Sequence, residues 1–300
     1  MSEFRLNGLI AATFTPFDDK GEINFPVIGR YADYLLGEGA YGVFVCGSTG
    51  ECVSMTPTER KAVLEAWVHA VQGRMKVIAH VGGTCQKDCV ELAAHAAALG
   101  VDAVAAVAPF YFKPASVKDL VAFYKPVADA CADKPFYSYH MPSMTGINLS
   151  MVDFLREGSR TMPNLRGIKF TSNNFMEMME CIRLDGGRFN ILNGFDEMLL
   201  SGLAVGADGG VGSTYNYAYK IYQNLFDAFR KGDLKTARDR QADSVDVVNV
   251  IIRHGGGIRG GKAIMKFRGV DCGNCRPPFA PYTTEEFRTL EKELQSIRLI

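Results

Sequence analysis

Short apolar, β-branched runs recur along the chain at intervals of about 30 residues, the spacing of parallel strand–helix units. They are Gly8-Leu-Ile-Ala-Ala-Thr-Phe14, Gly42-Val-Phe-Val-Cys46, Met75-Lys-Val-Ile-Ala-His-Val81, Ala103-Val-Ala-Ala-Val-Ala108, Phe136-Tyr-Ser-Tyr-His140, Leu165-Arg-Gly-Ile-Lys-Phe170, Phe189-Asn-Ile-Leu192 and Ala207-Asp-Gly-Gly-Val-Gly212. Helical patterns lie between many of them. Thr56-Pro57-Thr58-Glu59 carries a capping residue, a first-turn proline and a glutamate able to close a capping box. A second helix is expected from Thr84 to Leu99, with Gly100 in the left-handed position that ends many helices.

Eight units ending near residue 214 predict an α/β fold, a closed (β/α)8 TIM barrel over residues 1–214, although an open doubly wound sheet has the same periodicity. Beyond residue 215 the strand pattern stops. Tyr219 to Arg230, Leu234 to Arg253 and Thr284 to Ile297 read as amphipathic helices, so residues 215–300 are expected to form a C-terminal helical extension. Gly255-Gly-Gly257 and Arg259-Gly-Gly261 punctuate it and match no nucleotide-binding fingerprint.

Composition narrows the function classes. The chain has 300 residues, 47% apolar and 22% charged, which is globular and not disordered. Lys plus Arg (33) balances Asp plus Glu (33), so no basic field draws nucleic acid or an anionic membrane. The strongest apolar run, Ala103 to Phe112, falls short of the ~20 residues needed to span a bilayer. A soluble, cytoplasmic protein is expected, its scattered cysteines reduced and Cys272-Gly-Asn-Cys275 a turn with two incidental thiols.

In a parallel barrel the chemistry sits at the C-terminal ends of the strands. Strand alternation puts Gly167, Lys169 and Thr171 on the inner face of their strand, with Ile168 and Phe170 toward the helices. A nucleophilic amine near neutral pH requires a drop in pKa from ~10.4 to roughly 7 or 8, which loss of hydration there can supply; the rival is a lysine whose stem packs while its head reaches solvent or a carboxylate. Tyr139 holds the corresponding place on the preceding strand, about 4.8 Å away, where its phenol can serve as a proton shuttle beside Lys169, a buried tyrosine that satisfies a backbone carbonyl being the rival. His140 has the opposite parity and is expected to be structural. The Gly47-Ser48-Thr49-Gly50-Glu51 turn has backbone N–H groups and hydroxyls suited to a small carboxylate. Asn193-Gly194-Phe195-Asp196-Glu197 places two acids where a polyol can donate hydrogen bonds, helix capping by Asp196 being the rival explanation.

Together, Gly47-Ser-Thr-Gly-Glu51, Tyr139-His-Met-Pro142, Gly167-Ile-Lys169 and Gly209-Gly-Val-Gly-Ser-Thr214 resemble the dihydrodipicolinate synthase and N-acetylneuraminate lyase family of pyruvate-dependent aldolases. The resemblance runs through the whole predicted barrel. Asn193-Gly-Phe-Asp-Glu197 and Tyr215-Asn216 look most like the branch that cleaves N-acetylneuraminate, a sialic acid, to N-acetylmannosamine and pyruvate. The synthase branch carries an arginine after its Tyr-Asn-x-Pro motif, where this chain has Ser143-Met144-Thr145.

The resemblance implies that Lys169 forms a Schiff base, with Tyr139, Ser48 and Tyr111 in a proton relay. Tyr111 would come from a neighbouring subunit of a homotetramer. It further implies that Ser48 and Thr49 hold the carboxylate and that Thr171, Gly194, Asp196, Glu197 and Ser213 position the hydroxylated chain. No metal or cofactor is implied. Two alternatives stay open: dihydrodipicolinate synthase or a 2-keto-3-deoxy sugar acid aldolase of the same family, and a non-catalytic barrel that binds a keto acid.

Overall fold

The computed structural model describes residues 4–300, and its eight parallel strands close into a barrel in chain order. They are β1 (Leu9–Ala12), β2 (Gly42–Val45), β3 (Lys76–His80), β4 (Ala103–Val107), β5 (Phe136–His140), β6 (Leu165–Phe170), β7 (Asn190–Asn193) and β8 (Gly209–Gly212). Each falls on one of the eight expected runs, and β7 extends one residue beyond its run. Helices separate successive strands, so the fold is a (β/α)8 TIM barrel. Side chains on both faces of the strands are buried, as a sheet covered by helices requires. Among the described residues no helix is long and apolar enough to cross a membrane.

The helix starts follow from local chemistry. In Pro57–Val71, the Thr56 hydroxyl accepts from the Glu59 N–H at 3.2 Å and Glu59 Oε2 accepts from the Thr56 N–H at 2.7 Å, the reciprocal box expected from the sequence. The expected Thr84–Leu99 helix runs from Gln86 to Ala98, and Gly100 follows it at φ 75°.

Two compact units share the chain. One consists of Lys76–Val211 with the segment ending at Gly8; the other consists of Leu9–Met75 and Gly212–Ile300. In the first, a partly buried polar cluster ties chain segments together: Tyr137 donates to Asn190 Oδ1 at 2.7 Å, Asn190 Nδ2 donates to Asp208 at 2.7 Å, and Arg5 pairs with Asp208 at 3.1 Å. In the second, Tyr31 donates to Asn216 Oδ1 at 2.6 Å and Asn216 Nδ2 donates to the Ala12 carbonyl at 2.7 Å. These bonds fix the helix Tyr215–Arg230 against β1.

The C-terminal segment is helical as expected, with two corrections. The helix expected from Tyr219 begins at Tyr215 and bends at Ala218 (φ −126°). An additional helix, Gly256–Phe267, follows Leu234–Arg253: Gly255 (φ 90°) and Gly256 (φ 82°) punctuate the chain between the two as expected, while Gly257, Gly260 and Gly261 lie inside the helix. Its glycines serve close packing: a Cβ on Gly261 would stand 2.4 Å from the Phe14 ring.

Candidate active site

Lys169 and Tyr139 are directly opposed Cα partners in the β5–β6 ladder, despite a register irregularity at Phe136/Tyr137 lower in the same pair. Lys169 is 5% exposed and Tyr139 is 4% exposed. The lysine Nζ stands 4.1 Å from the centroid of the tyrosine ring. That ring face favours positive charge by ~0.5–2 kcal/mol, whether an ammonium or a protonated imine carries it. Burial acts the other way on the ammonium, since it removes the water that stabilises the ion. The phenol donates to Met141 Sδ at 3.1 Å, a weak acceptor that yields readily to a stronger one.

His80, which sequence reasoning missed, supports the pair. It is 3% exposed on β3, and its ring meets the Tyr139 ring edge-on, with centroids 5.8 Å apart at 86°. His80 Nε2 accepts the Val107 N–H at 3.1 Å, so in the neutral ring the proton sits on Nδ1. A single histidine in an apolar run carries no sequence signal that separates this role from ordinary core packing. His140 faces away as expected and packs on the Phe170 ring at 5.0 Å. Burial pushes its imidazole down to about 4.

Beyond the ends of β6 and β7, Thr171 and Gly194 are drawn together. The Thr171 N–H donates to the His140 carbonyl at 2.8 Å and the Gly194 N–H donates to the Phe170 carbonyl at 2.9 Å, extending the ladder. A Cβ on Gly194 would lie 1.9 Å from Thr171 Oγ1, so glycine is what lets the two segments meet. The Thr171 hydroxyl is buried and has no hydrogen-bond partner among the described residues. Asp196 stands at the start of a single 3₁₀ turn, Asp196–Met198. Asp196 is buried and Glu197 half-buried. Tyr111 and its neighbour Phe112 are 77% and 84% exposed, their rings in edge contact at 5.1 Å.

The other unit holds Ser48, Thr49 and Ser213. After β2 the chain turns through Cys46 (φ 58°) and Glu51 (φ 55°), both left-handed without being glycine. Inside the turn the Gly50 and Glu51 N–H groups donate to the Gly47 and Ser48 carbonyls, each at 3.0 Å. The Ser48 and Thr49 N–H groups have no such partner among the described residues, and both side chains are half-buried. The turn is anchored by Glu51, which is 2% exposed and ion-paired at 2.7 Å with Lys262, itself 2% exposed. Ser213 is half-buried, its carbonyl accepting from Asn216 Nδ2 at 2.7 Å. The Cys272 and Cys275 thiols are free, and burial pushes each up to about 12.

A profile of the dihydrodipicolinate synthetase family matches residues 5–297. The N-acetylneuraminate lyase of Mus musculus is 42% identical over 299 residues, covering 98% of this chain and 93% of its own. The solved structure of the Proteus mirabilis N-acetylneuraminate lyase superposes with a TM-score of 0.96 at 38% identity, covering 99% of this chain and 100% of its own. A catalytic-lysine mutant of the Ruminococcus gnavus sialic acid aldolase superposes with a TM-score of 0.93 at 30% identity, covering 98% of each chain.

Proposed function

The chain belongs to the dihydrodipicolinate synthetase family, and from that membership we propose that it reversibly cleaves N-acetylneuraminate to N-acetylmannosamine and pyruvate, a carbon–carbon lyase reaction of sialic acid degradation. The observation that carries this reading is the buried cross-strand pair of Lys169 and Tyr139, Nζ 4.1 Å from the ring centroid, in a chain 42% identical to an N-acetylneuraminate lyase.

Lys169, as the neutral amine, attacks the C2 ketone of the open-chain sugar, and the adduct takes up one proton from solvent and loses water to give a protonated imine. Tyr139 relays the C4 hydroxyl proton, accepting it as its own phenol proton passes to the substrate carboxylate. The C3–C4 bond then breaks, its electron pair flows into the imine, and N-acetylmannosamine leaves a pyruvate enamine behind. Protonation at C3 and hydrolysis free pyruvate and restore the amine. Ser48 and Thr49 bind the carboxylate, supported by the two N–H groups their turn leaves without partners. Thr171, Gly194, Asp196, Glu197 and Ser213 hold the hydroxylated chain. The buried Thr171 hydroxyl supports this, because an unmet hydroxyl at that depth costs ~1–3 kcal/mol until a partner arrives.

A cytoplasmic homotetramer belongs to the same proposal, with Ser48 and a neighbouring copy's Tyr111 completing the relay. The exposure of Tyr111 and Phe112 supports it, since paired bare aromatics suit burial against a second copy. The test is pyruvate release from N-acetylneuraminate, read through a coupled dehydrogenase. Release by the unaltered chain and none by Lys169→Ala is expected; equal release by both overturns the reading.

A further inference from the structure

Glu51 ends the Gly47–Glu51 turn in a left-handed conformation, and its carboxylate is sealed from solvent. It meets Lys262 Nζ at 2.7 Å and accepts the Arg276 N–H at 2.8 Å. Lys262 comes from the helix Gly256–Phe267, donates to the Asn274 carbonyl at 3.1 Å and stands 4.2 Å over the Phe17 ring. The Arg276 side chain braces the other side of the turn, pairing with Glu59 and donating to the Gly21 and Ser54 carbonyls, each at 2.8 Å. A fully buried ion pair adds little net stability over a well-packed apolar pair, yet it fixes both partners to one geometry. The geometry fixed here is that of Glu51, two residues from Thr49.

We propose that Lys262 is a positioning residue for carboxylate binding: acting through Glu51, it sets the turn that presents Ser48 and Thr49 to the keto acid. This gives the C-terminal helices a part in substrate recognition, and it rests on the reading of that turn as the carboxylate site. Lys262 touches no reacting atom, so its effect belongs to affinity for pyruvate and not to imine chemistry.

The test is borohydride trapping of pyruvate on Lys169 across a pyruvate titration, with thermal melts, for Lys262→Met, Glu51→Gln, the double variant and Lys262→Arg. Loss of the buried ion pair that holds the turn predicts that both single variants raise the half-labelling concentration by roughly 10- to 100-fold. Label at saturation should stay on Lys169, and Lys262→Arg should recover part of the affinity. The double variant leaves no buried charge unpaired, so it keeps the test alive if a single variant fails to fold, and it too should need more pyruvate. Opposite shifts in the two single variants would mean that net charge near the turn, not its shape, sets affinity. Half-labelling at the unaltered concentration in folded variants would reduce the pair to a fold element; either result overturns the proposal. No label in the unaltered chain at any pyruvate concentration sinks the aldolase reading itself, and this proposal with it.

Discussion

Replacing Tyr139 by phenylalanine separates two contributions that the native residue combines. The ring stays 4.1 Å from Lys169 Nζ, so its ~0.5–2 kcal/mol preference for positive charge persists. The hydroxyl is lost together with its bond to Met141 Sδ, at a stability cost of about 1 kcal/mol, too little to unfold the chain. Imine formation with pyruvate should therefore remain within a few-fold of the parent, while cleavage of N-acetylneuraminate, which needs the phenol to move a proton, should slow by roughly 10²- to 10⁴-fold. Tyr139→Leu removes the ring as well and should impair both steps. The assay pairs the rate of borohydride trapping with the rate of pyruvate release in each variant, after a thermal melt has confirmed folding. Cleavage by Tyr139→Phe within about threefold of the parent would remove the phenol from the proton path. An equal, large loss of trapping and cleavage in a folded Tyr139→Phe would show that ring and hydroxyl do not divide the work in this way.

Gly194→Ala drives a methyl to 1.9 Å from Thr171 Oγ1 and forces Thr171 aside by more than 1 Å, so kcat/KM for N-acetylneuraminate should fall by roughly 10²-fold with pyruvate trapping nearly intact; unchanged cleavage would detach Thr171 from the substrate. His140 is held near 4 by burial, against 6.5 in an exposed imidazole, so between those values the unfolded chain binds the extra proton. Stability should therefore drop by up to about 3 kcal/mol as pH falls from 6.5 to 4, with no contribution above that window. His140→Asn should flatten that slope in denaturant titrations, and equal slopes in both chains would refute the assignment.

The barrel was legible because each strand–helix unit repeats the same local chemistry, and the Tyr139–Lys169 pair because alternation and strand order alone place two late residues side by side. What escaped was set by contacts distant in sequence. The helix Gly256–Phe267 carries no helical pattern of its own because glycines punctuate it, and the Phe14 ring against Gly261 explains why a small residue is wanted there. Glu51 was visible as the end of a motif, yet its partner Lys262 lies in that unread helix, so the sequence held no pattern linking the two. What marks His80 out from a core histidine is its contact with the Tyr139 ring, which no sequence pattern shows.

Lys169 as the covalent nucleophile is the premise of every chemical step proposed for this barrel. The direct measurement is to incubate the chain with pyruvate at neutral pH, reduce with borohydride, and map the added mass by peptide sequencing. One pyruvate less one water plus two hydrogens, carried by the peptide that contains Lys169 and abolished by Lys169→Ala, is the predicted result. A stable adduct on any other residue, or none while the chain still releases pyruvate from N-acetylneuraminate, would contradict it.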